Sequence, residues 1–213
     1  MNDLFIITSV INTPDSPWTY TKTRSFFSKT ERYLQTIETI DSIRKMIPNA
    51  TLCLLECSSL DEIMTDNLKS KSDIFMNYYD KSDVKLYVNS IYKGAGESAQ
   101  IFEYISNNDI KKYDNIFKIC GRYRLKEDFC YKNFIGAYNI FHESGGSIST
   151  VFYKINSNYF NEYKENLKHT LDIYNQGKQY EVTMFNLFKN KYIHYPKINV
   201  CGRVGVDGTL WEA

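Results

Sequence analysis

The 213 residues suffice for one domain, or one domain with an appendage, around a continuous buried core. Twenty-six Lys and Arg against 25 Asp and Glu leave a net charge of +1, which excludes a global attraction to nucleic acid or to an anionic lipid surface; any anion site must be local. The odd set Cys53, Cys57, Cys120, Cys130 and Cys201 contains no Cys-x-x-Cys pair, so reduced thiols of an intracellular protein fit better than a disulfide framework.

The first residues, MNDLFIITSVINTPDSPW, carry an acidic residue where a signal peptide needs positive charge. No apolar run in the chain approaches the length of a bilayer span. A cytoplasmic protein without a membrane-spanning segment is expected. The abundance of Lys, Asn and Ile reads as the mark of an AT-rich coding sequence and says little about function.

Leu4–Ile11 is an apolar run rich in β-branched residues and predicts a buried strand. Residues 12–27 hold Pro14, Pro17, Trp18 and Arg24 without any period, the signature of a long loop. Ser28 and Glu31 stand in capping-box spacing before Leu34, Ile37, Ile40, Ile43 and Ile47, which predicts a helix over 29–47 ending at Pro48. Ala50–Cys57 is a second strand, and Ser59 with Glu62 repeats the capping spacing before a short helix. Val84–Val88 reads as a third strand, residues 97–106 as a helix and Asn115–Cys120 as a fourth strand. Beyond Leu125 the expected order is a short helix over 132–141, a Gly145-Gly146 turn, a strand over 148–155, helices over 158–174 and 180–189, and a final extended segment.

Alternating strands and helices over the first 120 residues predict an α/β fold with a mainly parallel sheet, because parallel neighbours need crossover connections. Ligands of such sheets gather outside the carboxyl ends of the strands. Thr8-Ser9, Glu56, Lys93-Gly94 and Gly121-Arg122 all follow expected strands and are therefore expected along one rim.

Several groups in this pattern bear chemistry. KGAGESA, residues 93–99, matches Gly-x-Gly-x-x-Ala; it is either a phosphate-binding turn, as in dinucleotide-binding proteins, or a plain tight turn. Lys118 and Arg122 bracket a strand end, Arg122 and Arg124 share one face if the chain stays extended, and guanidinium forks match phosphate or carboxylate oxygens; the alternative is surface arginines paired with Glu127 and Asp128. Glu181 follows Asn175-Gln176-Gly177 and is either a general base for an acceptor hydroxyl or an ordinary acidic residue at a helix start. In GRVGVDG, residues 202–208, Asp207 either holds a metal or a sugar hydroxyl or belongs to an Asp-Gly turn. His142, His169 and His194 lack zinc-ligand spacing.

The succession FIITSV, an Arg-bearing loop, QTIETIDSIRKMIPNATLCLLE and KICGRYRL resembles the nucleotide-sugar half of GT-A type glycosyltransferases, in particular small lipopolysaccharide-synthesis-like enzymes of bacteria and large DNA viruses. The resemblance spans the first 125 residues and extends loosely to the rest. It implies a single Rossmann-like GT-A domain, with a nucleotide-sugar half over 1–125 and an irregular acceptor-side half over 126–213. It also implies transfer of a sugar from a nucleoside diphosphate donor to a hydroxyl of a glycan or glycolipid acceptor. By position, Thr8, Ser9, Val10 and Arg24 would hold the nucleoside, and Glu56, Lys93, Gly94, Lys118, Gly121, Arg122, Tyr123 and Arg124 would complete the donor site, with Glu181, Arg122 and Asp207 as catalytic candidates.

The fourth strand of that family usually ends in Asp-x-Asp, which holds Mn²⁺ or Mg²⁺. Gly121-Arg122-Tyr123 stands there in this chain, and Asp-x-Asp occurs nowhere in it. Three readings stay open: Arg122, Arg124 and Lys118 replace the metal; another residue such as Asp207 holds it; or catalysis is lost and sugar-nucleotide or glycan binding is kept. Two competitors remain, a glycan-binding module using some of the 18 tyrosines and an NAD(P)-dependent oxidoreductase using Gly94 and Gly96.

Overall fold

The computed structural model describes residues 2–144, 147–176 and 180–213. The Gly145-Gly146 turn and Gly177 lie outside the described residues.

The chain runs β1 (Asp3–Ser9), α1 (Lys29–Met46), β2 (Thr51–Glu56), α2 (Glu62–Lys71), β3 (Ile74–Asn77), α3 (Ser82–Val88), α4 (Ala95–Asn107), β4 (Asn115–Cys120) and β5 (Tyr123–Leu125). It continues through β6 (Asn139–Ser144), β7 (Ser147–Asn156), α5 (Phe160–Ile173), α6 (Tyr180–Phe188), β8 (Tyr192–His194), β9 (Val200–Arg203) and β10 (Leu210–Glu212). The central sheet has the order β3-β2-β1-β4-β7-β6-β8, and β5, β9 and β10 form a small second sheet. Strands β3, β2, β1 and β4 are mutually parallel, and β7 returns antiparallel to β4. The expected α/β architecture, a mainly parallel sheet flanked by helices, is what the chain adopts.

Burial on both faces explains why the central strands read as continuous apolar runs. Leu4 and Ile6 of β1 join α4, α5 and α6 on one face through Ile101, Tyr163, Leu167 and Met184. The alternate residues Phe5 and Ile7 meet Ile40 and Ile43 of α1, and Phe117 and Ile119 of β4, on the other. Phe117 stacks on Phe5 with ring centroids 4.5 Å apart and lies near Tyr131, Phe134 and Phe152.

Four expectations need correction. Val84–Val88 belongs to helix α3, and the third strand is Ile74–Asn77. The run DVKLYV satisfies a period of two through Val84, Leu86 and Val88, yet Leu86 is 60% exposed and the buried pair is Val84 and Val88, one helical turn apart. Helix α2 is capped by Asp61, whose carboxylate accepts from Met64 N at 2.9 Å, so Ser59 is not its cap. The helix expected over 132–141 is a single 3₁₀ turn, Tyr131–Phe134, followed by β6. The extended C-terminal segment folds back on itself as β9 and β10, with Asp207 in the connecting turn. By contrast, Ser28 and Glu31 form the expected capping box of α1.

Phe117→Ala should lower unfolding free energy by roughly 3–5 kcal/mol, the usual cost of emptying a buried aromatic site. Urea denaturation of both proteins measures it, with an unchanged m-value expected.

Candidate functional site

The parallel strands diverge between β1 and β4, since the chain from β1 leads to β2 on one side while β4 lies on the other. A crevice opens at the carboxyl ends of strands at such a switch point. Here it is a cleft of about 400 Å³. Its floor is the exit of β1 (Thr8, Ser9, Val10) and of β4 (Cys120, Arg122, Tyr123); its walls are the 12–27 loop, the first turns of α4, the start of β7, Glu181 and the β9–β10 turn.

One wall is cationic. Arg32 of α1 is buried, and its Nε donates to Val10 O at 2.7 Å. Burial pulls its guanidinium down to about 9, and the Arg122 charge beside it adds to the effect. Arg122 packs against Gly205, where an added Cβ would come within 3.0 Å of its Cζ, and among the described residues its buried Nε has no hydrogen-bond partner. Arg24 stacks on Trp18 at 3.6 Å and donates to Ser90 O at 2.6 Å and to Val88 O, tying the long loop to the end of α3. Burial holds Arg24 at about 10. Among the described residues, no carboxylate lies within ion-pair distance of these three arginines.

The opposite wall is balanced. Lys118 faces α4 from an otherwise apolar strand, is 0% exposed, and its Nζ lies 2.7 Å from Glu97 Oε1 and 2.9 Å from Cys120 Sγ. Burial opposes the Lys118 charge, and Cys120 and Glu97 more than offset it, so the ammonium is held above its ordinary range. Glu97 also accepts from Thr8 Oγ1 at 3.3 Å. At the mouth, Lys93 Nζ pairs with Glu181 at 3.3 Å.

Of the residues singled out from sequence, Thr8, Ser9, Val10, Arg24, Lys93, Gly94, Arg122, Tyr123 and Glu181 meet in this cleft. Gly121 lies just beneath it, its N–H donating to Thr8 O at 2.9 Å. Lys118 sits under the floor, neutralised by Glu97. Glu56 is fully buried behind the β1 exit, accepting from Ile11 N, Cys57 N and Ser58 Oγ at 2.6–3.0 Å, and burial pushes its carboxyl up.

Two candidates are not brought there. The chain turns between β4 and β5, with Arg122 N donating to Cys120 O, so Arg122 and Arg124 do not share a face; Arg124 is exposed and pairs with Glu38 at 3.4 Å. Asp207 is exposed and accepts from Thr209 N at 2.9 Å, the Asp-Gly turn reading. Sequence reasoning missed Arg32, Glu97 and Gln100, which reach the cleft from helices whose orientation only the packing reveals.

The Gly-x-Gly segment also changes meaning. It joins α3 to α4 and does not follow a strand, so the context of a dinucleotide turn is lacking. Gly94 has φ +88°, and a Cβ there would come 2.5 Å from Tyr180 Cβ; at Gly96 it would come 2.8 Å from Val88 Cα. Both glycines serve close packing of helices. Gly121-Arg122-Tyr123 supplies no carboxylate where Asp-x-Asp would stand, and among the described residues no three His, Cys, Asp or Glu side chains converge.

The fold matches solved structures. Glycosyltransferase GlyE of Streptococcus pneumoniae superposes with a TM-score of 0.54 at 12% identity, over 92% of this chain and 45% of that one. Galactosyltransferase LgtC, in complex with donor and acceptor sugar analogs, gives 0.52 at 10% identity over 90% and 72%. A glycosyltransferase involved in glycosylation of the major capsid of PBCV-1 gives 0.51 at 9% identity over 92% and 82%. This is the GT-A glycosyltransferase fold. The chain spans less than half the length of GlyE, and the GT-A likeness rests on structure alone. Neither a protein-family model nor a curated protein sequence matches the chain. Among the described residues, no helix is long and apolar enough to cross a membrane.

Gly94→Ala should cost roughly 2–5 kcal/mol, combining a positive φ with a clash against Tyr180. A thermal-unfolding comparison with the wild type reads the loss.

Proposed function

We propose that the protein is a glycosyltransferase that moves a sugar from a nucleoside diphosphate donor to a hydroxyl of a glycan or lipid-linked acceptor, with arginines in the place of a metal. The observation that carries this reading is the group of buried Arg24 and Arg32 and half-buried Arg122, none of them in an ion pair among the described residues, at the switch point of a GT-A fold. Repelling guanidiniums are costly to bury alone, and a diphosphate would supply the missing counter-charge. The structural neighbours are glycosyltransferases, LgtC with donor and acceptor sugar analogs among them, which supports the same class.

In this mechanism Arg32 and Arg122 take the role that sequence assigned to Arg122, Arg124 and Lys118. The bond from the sugar's anomeric carbon to the diphosphate oxygen breaks, a bond to the acceptor oxygen forms, and the charge left on the diphosphate meets guanidiniums already in place. Holding donor and acceptor together in the cleft supplies the rest of the acceleration. Glu181 is the proposed acceptor base, with Lys93 keeping its carboxylate oriented at the cleft mouth.

Calorimetric titration with UDP-, GDP-, CMP- and dTDP-sugars in EDTA tests the reading. One of them should bind, and Arg122→Ala or Arg32→Ala should weaken it at least tenfold while the surface control Lys111→Ala leaves it unchanged. Glu181→Gln should cut turnover and spare donor affinity. Binding of none, or equal affinities across these variants, would overturn the arginine site.

A further inference from the structure

Gln100 sits on α4, one turn beyond Glu97 on the same side, and lines the cleft. It is 1% exposed, and among the described residues its carboxamide oxygen has no hydrogen-bond donor. Its neighbours in the helix, Ala99, Ile101, Tyr104 and Ile105, are all buried, so an apolar side chain would satisfy this position better. A buried carbonyl without a donor lowers stability, and such a group in a native protein calls for an explanation.

The chemistry of the two walls provides one. Guanidiniums only donate hydrogen bonds and phosphate oxygens of a diphosphate only accept them, so Arg32 and Arg122 suit the phosphate end of a ligand. The α4 wall presents the reverse, the Glu97 carboxylate and the Gln100 carbonyl, which suit hydroxyl donors. A ligand with its anionic part on the arginines therefore meets α4 with a hydroxyl-bearing part. Resting on the donor-site reading above, we infer that Gln100 accepts a hydrogen bond from a hydroxyl of the donor sugar and sets selectivity among sugars.

A site built to pair with a hydroxyl discriminates strongly, because its own buried group is otherwise left unpaired. The test is calorimetric titration of wild type and Gln100→Leu with UDP, GDP and dTDP and with UDP-glucose, GDP-mannose and dTDP-glucose. In the variant, affinity for the sugar conjugate relative to its bare nucleotide should fall at least tenfold, with the bare nucleotide within twofold of wild type and Tm no lower. Gln100→Met, unbranched and of similar length, serves if the leucine variant does not fold. An unchanged ratio overturns the assignment, as does a lowered Tm with parallel loss of both affinities, which would mark a structural role. Absence of any nucleotide binding in the wild type would instead overturn the donor site itself, and this inference with it.

Discussion

Positive charge buried without a direct ion pair, among the described residues, is the constraint on which the upper rim of the sheet depends. Arg24 and Arg32 are kept in place by backbone carbonyls and by a π face, groups that orient a guanidinium without cancelling its charge. Lysines in the same region are treated differently. Lys118 and Lys93 each have a glutamate within 3.3 Å. The division separates cations that are structurally neutralised from cations left available, and both kinds lie within one small cleft.

The same division gives the cleft an orientation. Strand exits and α1 supply donors, whereas α4 supplies acceptors, so a ligand bearing both kinds of group fits one way round. The tyrosine hydroxyls of Tyr153, Tyr163 and Tyr180, joined at 2.6 and 3.2 Å in the core beneath, fix β7, α5 and α6 to one another. Tyr180 also abuts Gly94, so the first turns of α4 and α6 are set by a single packing contact.

Much of the fold was legible because the central strands are buried on both faces. β1, β2 and β4 stand out as apolar runs, and the Ser28–Glu31 box marks the start of α1. β3 and β8 were missed because four and three residues carry too little pattern, and α3 was misread because its short apolar spacing fits two periods. Arg122 was legible as a charge ending an apolar strand. Arg32 was not, since in sequence it is one more charge between Glu31 and Tyr33 on an amphipathic helix. Arg124 looked equivalent to Arg122, but Arg122 lies in the Gly121-Arg122 turn and Arg124 on the outward side of β5. Glu56 illustrates the converse, a strand-end carboxylate whose oxygen is consumed by the backbone of its own rim.

The reversed direction of β7 has a consequence of its own. Because it runs against β4, its first residues, and not its last, arrive at the cleft, which Ser149 and Thr150 help to line. The two sides of the cleft thus come from different segments of the chain, the exits of β1 at Ser9 and β4 at Cys120 on one side and the start of β7 at Ser147 on the other. Substitution or insertion ahead of β7 can reshape one bank of the cleft while the opposite bank, with its arginines, is inherited intact.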